Sequence, residues 1–371
     1  MNSCGKPVFW TAFLPSGLLL VIGTVASCKS KIETDPVRIE HQGQLISRIA
    51  FGSCGSQDHP QPVLDLAVSQ KPDLFIWLGD NIYGDSEILD TLDAKYKRLA
   101  SKQEFKNLDA ACPMIGTWDD HDYGANDAGR HYPLKLQSKE LFLNFWKVSK
   151  DDIRFQRDGI YTSYYYQNAN HTLQIIVLDL RTFRDDLRRY NGEQVDTTRF
   201  FYDLDYLPYE TTDSTLLGET QWKWLEKQLS VPADLRIIAS SSQFGITFNG
   251  YEAWANFPHE QKRFLDLIKS TRANGVVFIS GDVHYAEISK LSQPGLYPIY
   301  DVTASGITST WDFATPNDNR IDGAVMENHF GLLDVNWEMA DPSINMKIID
   351  VSGKVRINRT VSFKELQLPV Q

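Results

Sequence analysis

Six short segments bring together residues that could do chemistry: FGSCGSQD, LGDNIYGD, TWDDHDYGAND, LDLRTFRDD, SSSQFG and ISGDVHYAE. Each follows an apolar run, and together they are crowded with Cys, Asp, Tyr, His, Asn and Arg. Strand ends are turns, and turns favour Asp and Asn in any protein. Six such ends on one rim are a different matter, because that many carboxylates repel one another and titrate upward unless cations hold them. A centre of two or more metal ions is the economical explanation. In DLFIWLGDNIYGD, residues 73–85, Gly79 lets the backbone turn sharply, so that Asp80 faces the site and Tyr83 returns to it. Two neighbouring hard cations need a bridging carboxylate, and Asp80 is the natural candidate. A thiolate and a phenolate, Cys54 and Tyr83, favour a strongly Lewis-acidic ion such as Fe3+. The remaining Asp and Asn oxygens suit Ca2+ or another hard divalent ion.

The elements that must position these residues follow from the apolar pattern. LISRIAFGSC, DLFIWLGD and PMIGTWDD read as strands, separated by a helix opened at Pro62 and a charged helical stretch over about 86–103. A further helix is expected around 135–148, then a hairpin, GIYTSYYYQ with TLQIIVLDLR, turning at NANH. LGETQWKWLEKQL is an amphipathic helix, and the strand LRIIASSSQF, a helix over 258–273 and the strand VVFISGDVH repeat the alternation. From about 296 to 360 strands dominate. Strands alternating with helices give an α/β layered fold, in which ligands sit outside the carboxyl ends of the strands, where the six segments lie. Residues 185–217 read as a long loop over the site.

The series FGSC, GDNIYGD, WDDHD…ND, LDLR and SGDVH, over about residues 46–310, resembles the alkaline phosphatase D family of calcineurin-like metallophosphoesterases. The resemblance implies a four-layer sandwich, two mixed β-sheets flanked by helices, around an iron–calcium centre that hydrolyses phosphate mono- and diesters. It implies Cys54, Asp80, Tyr83 and Asp120 as metal ligands, with Asp80 bridging, and Asp282 as a further one. His284 is a ligand or a substrate contact, and Asn126 or Asp127 completes the hard-ion site. The family has Glu after WDDH, whereas this chain has Asp122. His121 is expected to contact the phosphate or leaving group. Arg181 directly follows a strand, and its planar guanidinium suits two phosphoryl oxygens.

Composition narrows the partners. The net charge of −11 argues against a nucleic-acid-binding surface, which needs a basic stripe. The sixteen Tyr and nine Trp among 371 residues suit a strand-rich fold or a carbohydrate- or lipid-facing surface. At the N-terminus, Lys6, the apolar FLPSGLLLVIG and the small residues of VASC resemble a lipoprotein signal peptide over 1–27, with Cys28 acylated. A polar tether over 28–44 and a metallophosphoesterase domain over 45–371 follow. The expected location is the bacterial cell envelope, with membrane anchoring through lipidated Cys28. Of the remaining cysteines, Cys112 begins a strand and Cys54 ends one, which places them apart and favours Cys54 as a ligand over a disulfide.

The expected activity is hydrolysis of a phosphate ester or phospholipid head group by metal-activated water, with His121 or His284 serving the leaving group. No GxSxG serine motif and no HExxH pair is present to suggest other hydrolytic chemistry. A calcium-dependent glycan- or lipid-binding lipoprotein without catalysis is the alternative. It leaves the thiol and phenol beside the acids unexplained.

Overall fold

The computed structural model describes residues 39–193 and 204–369. The expected signal peptide, Cys28 and most of the tether fall outside them. In chain order the elements are β1 (Ile39–Gln42), β2 (Arg48–Gly52), α1 (Pro62–Ser69), β3 (Leu74–Leu78), α2 (Leu89–Ser101), α3 (Gln103–Ala111) and β4 (Met114–Thr117). Then come α4 (Asp120–Tyr123), α5 (Lys135–Phe145), β5 (Thr162–Gln167), β6 (Thr172–Val177), β7 (Arg188–Arg189), β8 (Tyr206–Leu207) and α6 (Gly218–Leu229). The rest are β9 (Leu235–Ala239), α7 (Pro258–Thr271), β10 (Val276–Ser280), β11 (Ala286–Leu291), β12 (Ile299–Ala304), β13 (Arg320–Val325), β14 (His329–Asn336), β15 (Ser343–Asp350) and β16 (Val355–Ser362).

Two mixed sheets form, an eight-stranded one in the order β1-β5-β6-β9-β10-β12-β11-β13 and a six-stranded one in the order β16-β15-β14-β2-β3-β4. This is the expected two-sheet α/β architecture. Successive strand side chains point to opposite faces, and β3 shows what that does here. Leu74, Ile76 and Leu78 enter the core shared with the eight-stranded sheet, while Phe75 and Trp77 enter a second core with α1, α2, α3 and α5. A strand buried on both faces reads as a continuous apolar run, which is why LFIWL lacks alternation. On the other sheet, Trp222 and Leu225 of α6 and Phe264 and Ile268 of α7 pack into the first core.

The tether boundary needs correction. Ile39–Gln42 pairs in parallel with β5, so the folded body begins before residue 45. The short polar segment IEHQ carries almost no apolar signal because it forms a sheet edge. The hairpin of β5 and β6 forms as expected. The loop over 185–217 contains the two-residue ladder of β7 and β8. Among the described residues no helix is long and apolar enough to cross a membrane.

Candidate metal centre

Parallel pairing brings the strand ends together. β2, β3 and β4 run parallel in one sheet, and β6, β9, β10 and β12 in the other. Their carboxyl ends are tied across the sandwich by Ser53 N–H donating to the Ala304 carbonyl at 3.1 Å. The Thr117 hydroxyl donates to the Leu178 carbonyl at 2.7 Å along the same edge. The backbone is strained just here. Cys54 (φ 57°), Asp80 (49°), Asp127 (55°), Asp282 (78°) and His284 (56°) all adopt the left-handed conformation that non-glycine residues avoid. Each such residue costs on the order of 1–3 kcal/mol and persists only where the surroundings over-determine it. Gly79 (φ 103°) makes the turn into Asp80, and a Cβ there would lie 2.5 Å from the Cβ of Asp119.

Three groups of ligand atoms result, each within 4.8 Å internally: Cys54 with Asp80 and His284, Asp80 with Asp120 and His121, and Asp120 with Asp127 and Glu252. Asp80 and Asp120 each belong to two groups, as bridging carboxylates would. Cys54 Sγ lies 3.3 Å from Asp80 Oδ2, and the Tyr83 hydroxyl 3.3 Å from His284 Nε2. Cys54 and Cys112 are both buried free thiols, so no disulfide competes for the ligand.

Electrostatics tests whether a cation fits. Burial, then the neighbouring Cys54 and Asp120, push the Asp80 carboxyl well above the carboxylate range. Its Oδ1 is buried without a hydrogen-bond partner. Burial also pushes the Cys54 thiol up to about 12. A buried, acid-rich site with an orphaned carboxylate oxygen is costly alone, whereas a bound cation reverses the local preference for protonation. The donor set fits a metal.

The two histidines differ. Burial opposes charge on His121, yet the Asp80 charge, the Asp85 hydrogen bond and the Asp120 charge hold its imidazole up to about 10. Its Nδ1 meets Asp85 Oδ1 at 2.6 Å. His284 is held down to about 4 by burial and then by the charge on His121.

Several expected roles change. Arg181 is fully buried, and its guanidinium is spent on carboxylates: Nε binds Asp119 Oδ1 at 2.6 Å and Nη1 binds both Glu252 oxygens at 2.8 Å. It has no exposed edge for a phosphoryl oxygen and neutralises the acids instead. Of the two hard-ion candidates, Asp127 joins a ligand group; Asn126 is exposed, its amide donating to Asp127 Oδ2 at 2.8 Å. Asp282 lies among the same acids, raised well above its ordinary range by burial and then by Asp119, Glu252 and Asp120, but it joins none of the three groups. Asp122 closes the capping box of α4, with Oδ2 accepting from Asp119 N–H at 3.0 Å and Oδ1 from Asn81 N–H at 3.0 Å. The shorter acid therefore supports the turn that presents Asp120.

Sequence reasoning missed Glu252 and the part played by Asp85. Glu252 lies in the loop after β9, where its one signal is chain proximity to SSSQFG.

Comparison with known proteins bears on the family and the fold. The family model described as PhoD-like phosphatase matches residues 50–328. Alkaline phosphatase D of Bacillus subtilis (strain 168) is 26% identical over 283 residues, which is 65% of this chain and 46% of that protein. The chain thus spans about half the length of this curated relative. A solved structure of PhoD superposes with a TM-score of 0.60 at 20% identity, covering 86% of this chain and 72% of that one. A structure of GAP50, the anchor in the inner membrane complex of Plasmodium, gives 0.53 at 13% identity, covering 88% and 90%. At these identities both speak to the fold alone.

Proposed function

The chain belongs to the PhoD-like phosphatase family, and on that ground we propose that it is a metal-dependent hydrolase of phosphate mono- and diesters, phospholipid head groups included. The observation that carries the reading is the buried Asp80 carboxylate, shared between two ligand groups and left with an orphaned oxygen. Cys54, Asp80, Tyr83 and the neutral His284 form the side suited to Fe3+, and Asp80, Asp120 and Asp127 the side suited to Ca2+. When bound, such ions supply Lewis acidity to the phosphoryl oxygens and to an attacking water.

The chain's own residues do the rest. Asp85 accepts only, so it fixes the hydrogen of His121 on Nδ1. Nε2 is then the atom that carries a proton to the leaving oxygen. His284 is held neutral and suits ligation rather than proton donation. Arg181 balances Asp119, Asp120 and Glu252, which keeps Asp120 ionised, at about 2, against its burial.

Hydrolysis of chromogenic mono- and diesters by purified protein, with metal analysis, tests this reading. Activity is expected to vanish on chelation and return with added metal. Metal-loaded protein that hydrolyses neither ester would favour the non-catalytic binding lipoprotein. If the iron assignment holds, concentrated protein is coloured by a ligand-to-metal band, and colourless, active protein would overturn it. For location, Cys28→Ser is expected to release the protein from membranes with hydrolysis unchanged, as measured by fractionation; retention in the membrane fraction would refute acylation there.

A further inference from the structure

The loop after β12 lies directly on Cys54. Ile307 N–H donates to the Ser53 carbonyl at 3.1 Å, and Thr308 and Ser309 N–H donate to the Cys54 carbonyl at 3.1 and 3.2 Å. At its start, Ser305 Oγ sits 3.1 Å from Cys54 Sγ and accepts from His284 N–H at 3.0 Å. That oxygen already holds one incoming hydrogen, so its own hydrogen is free for the sulfur. Ser53 Oγ is farther from the sulfur, at 3.6 Å, and can donate to the Ala304 carbonyl at 3.4 Å.

Ser305 is itself held by a buried imidazole. Its N–H donates to His329 Nε2 at 3.0 Å, while His329 Nδ1 meets the Glu327 carbonyl at 2.7 Å. An N–H only donates and a carbonyl only accepts, so the tautomer is fixed, with the hydrogen on Nδ1 and the lone pair on Nε2. His329 N–H closes the loop onto the Gly306 carbonyl at 3.0 Å. Gly306 is required there, since a Cβ would lie 2.4 Å from His329 Cε1. Cys54, Ser305 and His329 are all fully buried. Burial holds the imidazole down, at about 4, although the Glu327 carbonyl and the Glu327 and Asp350 charges oppose this.

We propose that Ser305 is a positioning residue for the metal centre, donating its hydroxyl hydrogen to the Cys54 sulfur, and that the Nδ1–H tautomer of His329 fixes Ser305 in that pose. The inference rests on Cys54 being a metal ligand. Hydrogen bonds to a ligating sulfur lower the energy of its lone pairs, and supporting residues of this kind tune both affinity and electronic structure.

Cobalt(II) titration of the metal-free full chain tests it, read by the thiolate-to-cobalt charge-transfer band. Ser305→Ala is expected to keep the band but move it to longer wavelength, with cobalt affinity about 10–100-fold weaker. Ser305→Thr, which keeps the hydroxyl, is expected to restore both. His329→Leu should shift band and affinity in the same direction, and His329→Gln, whose amide oxygen can accept the Ser305 N–H, should recover them. An unchanged band position and affinity in Ser305→Ala overturns the role of Ser305. Equal behaviour of His329→Gln and His329→Leu overturns that of His329. Cys54→Ser separates the two readings: it must remove the band, and a retained band refutes the ligand assignment itself.

Discussion

Asp80→Asn is expected to abolish hydrolysis and strip bound metal while making the metal-free protein more stable. The substitution keeps the shape of the side chain and removes the charge that two ligand groups share. Residues that only support ligands cost about 10–100-fold when replaced, so a shared ligand should cost more than about 100-fold. Stability should move the other way. Burial and neighbouring acids already push the Asp80 carboxyl well above its ordinary range, and its Oδ1 has no partner. The metal-free fold therefore carries an unfavourable carboxyl that an amide relieves. A rise in melting temperature without metal, together with loss of metal content, separates a ligand from a residue that merely packs. Parallel losses of stability and activity would make Asp80 structural.

Asp85 supplies the comparison. From sequence alone it reads as a turn-shaping residue whose amide variant keeps most activity. Its hydrogen bond to His121 Nδ1 changes that expectation. Asp85→Asn should retain metal and lower kcat by about 10–100-fold, because the hydrogen on Nδ1 is no longer held by an acceptor-only group. Full activity in this variant would remove His121 from the proton-transfer role.

What the sequence made legible follows from how each residue is held. Cys54, Asp80 and Asp120 stand two or three residues past the ends of β2, β3 and β4, so an apolar run followed by polar residues marks them. Glu252 has no such run before it; it enters the site from a loop and is identified by its contacts with Arg181 and Arg184 and by its place beside Asp120 and Asp127. Two strands were also hidden. β11 reads AEISKL and is buried on both faces: Ala286 and Ile288 enter the first core, while the opposite face carries the fully buried polar residues Glu287 and Ser289, so the continuous apolar run of a strand covered on both sides is missing. Those side chains bind Gln243, Asn317 and Arg320 instead. β13, RIDGAV, is an edge strand with little apolar burial to advertise it. Arg181 shows the converse error. Its place after a strand was legible, but whether a guanidinium faces substrate or carboxylates depends on acids brought from two other segments, Asp119 and Asp120 from one and Glu252 from the other.

That distinction gives the second large effect. Arg181→Met is expected to destabilise the protein by about 3–5 kcal/mol, the usual cost of breaking a buried ion pair from one side. Asp119, at 1% exposure, would be left without its counter-ion, and Glu252, at 6%, would keep only Arg184 at 3.3 Å. The double variant Arg181→Met with Glu252→Gln should recover part of the loss, because it removes one of the two buried acids left under-compensated. The pH dependence follows by linkage. Burial holds the Asp119 carboxyl up at about 7 even though Arg181 pulls it down, and removing Arg181 raises it further. A carboxyl whose folded pKa exceeds its unfolded value destabilises the fold fully above the folded value, and the penalty fades as pH falls from the folded to the unfolded value. Below about pH 7 the folded Asp119 carboxyl is protonated with or without Arg181, so the deficit of Arg181→Met in metal-free protein should be largest at alkaline pH and narrow as pH falls toward about 7. A phosphate-binding Arg181 makes the opposite forecast: unchanged melting temperature, a raised KM, and no benefit from Glu252→Gln. Thermal unfolding at two pH values, set beside KM for a chromogenic diester, decides between a guanidinium that grips substrate and one that makes the acidic rim tolerable.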